Sequence, residues 1–248
     1  MNFNNQVAIV TGASRGIGRS IAEYLAVNGA SVALVSRNID QTFVTELQSK
    51  GANVLPISAD VTSYDDVRKA VETTQKELGS INILINNAGW DRTNPFMETG
   101  EDDWIKELDV NLLSQMRFSK EVIPAMQKQE YGRIINVSSD SGRVGTSNQT
   151  PYSAAKGGII AFTKALAQEI VHHNITVNCI SPGPTRTPFY QEVIDDNPGM
   201  SEGLEKAIPM GRPGEPGEVA YITSMLAAKE ASYITGQTIS VNGGLSMF

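Results

Sequence analysis

Tyr152 and Lys156 stand four residues apart in a stretch, Tyr152 to Leu166, that reads as helix. That spacing puts both on one helical face. A free tyrosine titrates near pH ~10, too high for efficient proton exchange at neutral pH. A neighbouring ammonium stabilises the phenolate and brings the phenol into a useful range. Chance Tyr/Lys pairs at this spacing are common, so the pair needs support. The strand candidate before it, Arg133–Val137, runs into Ser138 and Ser139. Ligands of open parallel sheets bind at the carboxyl ends of strands. A hydroxyl there can donate to a carbonyl oxygen and stabilise charge as hydride arrives; the plainer reading is a serine that caps a turn.

A second set of residues suits a dinucleotide. Thr11 to Gly18 follows the first strand candidate and opens the first helix. Gly12 allows a tight turn, Gly16 lets the backbone approach a pyrophosphate, and Gly18 lets helix and strand pack closely. The helix N-terminus then offers free N–H groups and a positive dipole end to the diphosphate. About twenty residues on, an NAD site has Asp or Glu for the ribose 2′-hydroxyl. Here that place holds Ser36 and Arg37, with Arg15 in the glycine loop. Guanidinium groups pair with phosphate in a bidentate way, so NADP(H) is expected over NAD(H). The competing readings are two solvated arginines and an Asp40 that swings toward the ribose. Asn86 to Gly89, ending the fourth strand, offers a small polar floor for the cofactor.

The elements that position these residues alternate along the chain. Strands are expected at Val7–Val10, Ser31–Val35, Asn53–Ile57, Ile83–Ile85, Arg133–Val137, Ile175–Cys179 and Thr238–Val241. Helices are expected near Gly16–Asn28, Gln41–Lys50, Ser63–Leu78, Glu101–Lys128, Tyr152–His172 and Pro216–Ala228. Such alternation implies βαβ units and a parallel sheet covered on both faces, an α/β fold. Pro182 to Glu218 holds seven of the eleven prolines and no clear strand. A long irregular segment in a compact domain is more often a lid than a linker, so a substrate lid is expected at about 184–213. The helices beginning at Glu101 and Tyr152 carry apolar residues on more than one face, which suits either deep burial or contact with a neighbouring subunit.

Composition narrows the function classes. At 248 residues, 40% hydrophobic, the chain fits one α/β domain over 1–248. A net charge of -7 argues against nucleic acid or an anionic membrane as partner. Cys179 is the only cysteine, so an intramolecular disulfide and a Cys-based zinc site are ruled out, and no metal is expected. Its apolar run suggests a buried, inert thiol. With neither a signal-peptide pattern nor a membrane-length apolar run, the chain reads as cytoplasmic.

Taken together, Thr11 to Gly18, Asp60-Val61-Thr62, Asn86 to Gly89, Asn111, Ser139, Tyr152, Lys156 and Pro182 to Thr187 resemble the short-chain dehydrogenase/reductase family over essentially the whole chain. The resemblance implies a Rossmann-like, doubly wound parallel sheet of about seven strands, often assembled as a homotetramer. It implies Tyr152 as general acid/base, Ser139 as holder of the substrate oxygen, and Lys156 as the group that lowers the tyrosine pKa and binds the nicotinamide ribose. Asn111 would position a water linking Lys156 to solvent. The cofactor would lie along Ser14, Arg15 and Ile17, with Asp60 and Val61 beside the adenine and Asn87, Ala88 and Gly89 as its floor. Pro182, Gly183, Thr185 and Thr187 would close the nicotinamide end.

The activity so implied interconverts a ketone and a secondary alcohol. Within the family the chain resembles 3-oxoacyl thioester reductases and hydroxyacyl-CoA dehydrogenases acting on alicyclic rings, such as 2-hydroxycyclohexanecarboxyl-CoA. Trp90-Asp91 and the C-terminal stretch from Asn242 favour the second group, which often uses NAD(H); Ser36-Arg37 favours NADP(H). Glu130 and His173 stand where reductases serving acidic carrier proteins tend to have arginine, which points to a CoA thioester or a small ketone. Trp90, Phe189, Tyr190 and Met210 are candidates for an apolar pocket or for lid packing. Two other classes fit less well: a regulator that senses NADP(H) without turnover, and an epimerase or dehydratase, for whose usual C-terminal substrate domain the chain has no room.

Overall fold

The computed structural model describes residues 1–196 and 199–247. Asn197 and Pro198, inside the expected lid, lie outside the described residues, as does Phe248.

Seven parallel strands form one sheet in the order β3-β2-β1-β4-β5-β6-β7. They are β1 (Val7–Thr11), β2 (Ser31–Ser36), β3 (Val54–Ser58), β4 (Ile81–Asn86), β5 (Gly132–Val137), β6 (Ile175–Pro182) and β7 (Thr238–Val241). Every residue of β1 and β5 is buried, as unbroken apolar runs require when helices cover both faces. Alternate residues feed two cores. Ala8, Val10, Ile83 and Ile85 meet α1 (Gly16–Val27), α2 (Gln41–Ser49) and the C-terminal helix 216–227. Ile9, Leu84, Ile134 and Val177 meet α3 (Tyr64–Glu77) and the helices 114–128 and 150–170. Each fully buried Ile, Leu or Val contributes about 1.5–3 kcal/mol. β6 runs three residues past the expected Cys179 because Ile180, Ser181 and Pro182 pair with β7.

The order reverses between β1 and β4, so the crevice at the carboxyl ends of these strands is the binding side of the sheet. Asp40 caps α2 by accepting from the Phe43 N–H at 3.2 Å, and Ser63 caps α3 through the Asp66 N–H at 3.3 Å. These caps place the β2–α2 and β3–α3 turns at the crevice rim.

The single helix expected over Glu101–Lys128 is two: α4 (Glu101–Leu108) and α5 (Ser114–Lys128), joined by a π-helical turn at Asp109–Leu113. The side chain of Asn111 explains the break. Its Nδ2 donates to the Glu107 carbonyl at 2.9 Å, the acceptor that an α-helix would give to the Asn111 N–H.

The segment expected as a lid is less irregular than its prolines suggest. A four-residue helix α6 (Ser141–Val144) precedes α7 (Thr150–Ile170), and the lid itself holds α8 (Pro188–Asp196) and α9 (Met200–Ala207) before α10 (Pro216–Ala227). Its base is pinned where Arg186 N–H donates to Gly214 O at 2.8 Å and Gly214 N–H to Pro184 O at 2.9 Å. Among the described residues, no helix is long and apolar enough to cross a membrane.

Candidate active site

The carboxyl ends of the strands, the glycine loop and the lid enclose a cleft of about 1580 Å³. On the cofactor side the glycine loop is set by contact. Gly12 has φ +66°, and a Cβ there would lie 2.9 Å from Ala88 Cα. Asn87, expected on the cofactor floor, also ties that loop down: its Nδ2 donates to Thr11 O at 3.0 Å and Gly12 O at 3.3 Å. Thr11 Oγ1 accepts from the N–H groups of Asn87 and Ala88. The N-cap of α1 is Arg15, whose side chain makes no cap, and the first turn carries no acidic residue. The leading amides of α1 thus face the cleft without a side-chain acceptor, which fits a diphosphate.

Ser14, Ile17, Ser36, Arg37, Asp60, Val61, Gly89, Pro182, Gly183, Thr185 and Thr187 also border the cleft. Arg37 is exposed at the rim, while Ser36 Oγ donates back to Asn38 O at 2.7 Å. Asp40, the rival for the ribose, is held by Arg19 Nη1 at 2.6 Å besides its capping bond, and its carboxyl lies below the usual range, first through the Phe43 N–H. Arg15 pairs with Glu192 of α8 at 2.7 Å, both half-exposed, so the lid touches the glycine loop. The Thr62 backbone N–H holds the carboxyl of Asp60 below its ordinary value. Thr187 Oγ1 accepts from the Tyr190 N–H at 3.1 Å and so starts α8.

On the chemical side, Ser139, Tyr152, Lys156 and Asn111 converge. Ser139 follows β5 and bonds the phenol of Tyr152. Lys156, one turn further along α7, is 3% exposed; its Nζ donates to Val137 O at 2.9 Å and lies 5.4 Å from the Tyr152 ring centre. Asn111 is fully buried. A Cβ on Gly89 would sit 3.0 Å from Asn111 Oδ1 and 3.5 Å from Lys156 Nζ, so a glycine is what lets both approach the cofactor floor.

Burial raises the phenol of Tyr152 above its ordinary value, with the charges of Asp91 and Glu107 adding to the rise and the Ser139 hydrogen bond opposing it. Val137 O holds the ammonium of Lys156, and burial pulls that group down to about 8.

Trp90, Phe189 and Tyr190 line the cleft, with Lys106 Nζ 3.7 Å from the centre of the Trp90 ring. Met210 does not: it is 71% exposed and its N–H donates to Gly243 O outside the cleft. Glu130 and His173 precede the amino ends of β5 and β6, at the opposite edge of the sheet from Tyr152, so they do not border this chain's own cleft. Cys179 is buried, and burial pushes its thiol up to about 11, as an inert thiol requires.

Sequence reading missed Asp91, Glu107 and Gln149. Asp91 accepts from Thr93 Oγ1 at 3.0 Å and from Gln149 Nε2 at 2.5 Å. Glu107 is the buried residue of α4, 2% exposed. A carboxylate on the buried face of an amphipathic helix was the available signal.

Residues 12–246 match the family model described as Enoyl-(Acyl carrier protein) reductase. The 3-oxoacyl-[acyl-carrier-protein] reductase FabG of Escherichia coli (strain K12) is 41% identical over 249 residues, covering 100% of both chains. Nodulation protein G of Rhizobium meliloti (strain 1021) is 41% identical over 244 residues, covering 97% of this chain and 96% of that one. The crystal structure of F189W actinorhodin polyketide ketoreductase with NADPH superposes with a TM-score of 0.94 at 32% identity, covering 98% of each chain. With the glycine loop, the Ser139–Tyr152–Lys156–Asn111 group and full-length similarity in agreement, the chain belongs to the short-chain dehydrogenase/reductase family.

Proposed function

We propose that this protein is an NADP(H)-dependent oxidoreductase that reduces the ketone of a 3-oxoacyl thioester to a secondary alcohol. The observation that carries the reading is the meeting of Ser139, Tyr152, Lys156 and Asn111 beside the glycine loop. The 3-oxoacyl reductases among its relatives support the substrate class, and the NADPH of the ketoreductase neighbour supports the cofactor.

When bound, the cofactor supplies the hydride. Its diphosphate would rest on the amides of Gly16 to Gly18, its 2′-phosphate near Arg37 and Arg15, and its adenine by Asp60 and Val61. Ser139 donates to the substrate carbonyl and stabilises charge on that oxygen. Tyr152 gives the oxygen its proton, and Lys156 passes a proton back toward the phenol from a water that Asn111 would position. Lys156, seated on Val137 O, would hold the nicotinamide ribose. Trp90, Phe189 and Tyr190 form the apolar wall for the acyl chain, with the lid at about 184–213 closing over it.

We also place the enzyme in the cytoplasm as a homotetramer. A chain with one buried cysteine suits a reducing compartment. Ile105, Leu108, Leu113 and Met116 along α4 and α5 are 57%, 39%, 40% and 41% exposed, a stripe that suits a subunit contact. Loss of NADPH absorbance with acetoacetyl-CoA, in parallel with NADH and with ring ketones, tests the function. Tyr152→Phe should abolish turnover and keep NADPH binding; unchanged turnover in that variant would sink the assignment. Activity confined to NADH and ring ketones would replace the substrate and cofactor reading.

A further inference from the structure

Beyond the four residues assigned above, α4 carries a group with no evident packing purpose. Glu107 occupies the buried face of the helix, where an apolar side chain would ordinarily sit. A carboxyl group there is costly unless each oxygen finds a donor. Glu107 Oε1 accepts from the Arg92 N–H at 2.8 Å, and Oε2 accepts from Asn111 Nδ2 at 2.8 Å. The Arg92 N–H it holds follows directly on Asp91, and the two carboxyl groups act on each other's charge. Asp91 Oδ1 is buried and meets no N–H or hydroxyl donor. Two ionised carboxylates near each other inside a protein repel, which favours a proton on one of them.

Asn111 is constrained by the same contacts. Its Nδ2 carries two hydrogens and meets three oxygens: Trp90 O at 2.6 Å, Glu107 O at 2.9 Å and Glu107 Oε2 at 2.8 Å. The Trp90 N–H donates to its Oδ1 at 3.2 Å. Turning the amide over would face Oδ1 to three acceptors. We propose that Glu107 is a positioning residue for the reaction: it holds the Asn111 amide in one orientation and, as a buried carboxyl near Asp91, sets the charge beside Lys156 and Tyr152. The inference rests on the reductase reading and deepens it.

The groups that face the pair come from two elements besides its own. Lys156 and Tyr152 of α7 both feel the charges of Asp91 and Glu107, and Cys179 of β6 acts on Lys156. Arg92 turns its guanidinium outward to Asp103 at 2.7 Å. Burial pushes Glu107 up to about 7 and raises Asp91 as well. Below that value the pair carries one negative charge, and above it two. The second charge disfavours the Tyr152 phenolate, the form needed to oxidise an alcohol.

The test compares wild type, Glu107→Gln and Glu107→Leu for alcohol oxidation with NADP+ and ketone reduction with NADPH across pH, with melting curves as a check on folding. Glu107→Leu should lower kcat roughly tenfold with KM changed less than about twofold, a positioning loss. Glu107→Gln, which cannot ionise, should move the acid limb of the oxidation profile roughly half a pH unit lower. A Gln variant whose profile superimposes on wild type overturns the proposal, even where the Leu variant does not fold. Infrared spectra of the carboxyl region serve if wild type turns nothing over, a result that defeats the reductase reading alone. A protonated-carboxyl band near neutral pH should then vanish in Glu107→Gln, and its persistence overturns the proposal.

Discussion

Lys156 Nζ donates to the Val137 carbonyl at 2.9 Å, so the last residue of β5 anchors the ammonium on α7. This contact fixes where the positive charge sits. It aims the lysine at the cofactor floor under Gly89.

Lys156→Met keeps most of the bulk and removes the charge. It should lower kcat by roughly 100-fold or more, as loss of a group serving proton transfer does, and weaken NADPH binding. Steady-state kinetics with fluorescence titration of NADPH check this; activity within a few-fold of wild type would contradict the role of Lys156.

Arg37→Asp exchanges an exposed guanidinium at the cleft rim for a carboxylate. The ratio of kcat/KM for NADPH over NADH should fall roughly 10- to 100-fold, the worth of a charge-assisted contact. An unchanged ratio would remove Arg37 from the 2′-phosphate site.

Gly12→Ala forces a side chain onto a residue with φ +66° and brings its Cβ within 2.9 Å of Ala88 Cα. The left-handed backbone and the overpacking together should cost about 2–4 kcal/mol, read from urea unfolding. A smaller Gly-to-Ala penalty is expected at Gly203, which has nothing within 4 Å of its Cβ position and lacks a positive φ.

Glu107 also makes stability depend on pH. Its folded value of about 7 lies above the ordinary 4.5, so between these values the folded protein binds more protons than the unfolded chain. Stability from this group is present at low pH and declines as pH rises from about 4.5 to 7, by at most about 3 kcal/mol. Melting curves at pH ~5 and ~8 should show a larger drop for wild type than for Glu107→Gln. Equal drops would show that Glu107 ionises as freely when folded as when unfolded.

Much of the fold was legible because its signals are local. Continuous runs such as Val7–Val10 fit strands buried on both faces better than half-exposed ones, and the glycines at 12, 16 and 18 mark a strand-to-helix turn because they stand between such a run and a helical pattern. Tyr152 and Lys156 share a helical face through a four-residue spacing, and Ser139 ends a strand. Each of these rests on periodicity or backbone freedom within a few residues.

What depended on the sheet order was not legible. The break of the expected 101–128 helix at Asn111 follows from one side chain taking the Glu107 carbonyl, which periodicity does not register. Glu130 and His173 sit before their strands, at the edge away from the cleft, a placement that residue types alone do not register. Asp91 and Glu107 are sixteen residues apart and come near each other because the loop after β4 folds back on α4. The sequence by itself determined most of the elements and put Tyr152 and Lys156 on one helical face, since those are set by local spacing. Tertiary structure decided which charges stand next to them, because burial and contact between distant segments exist only once the sheet is assembled.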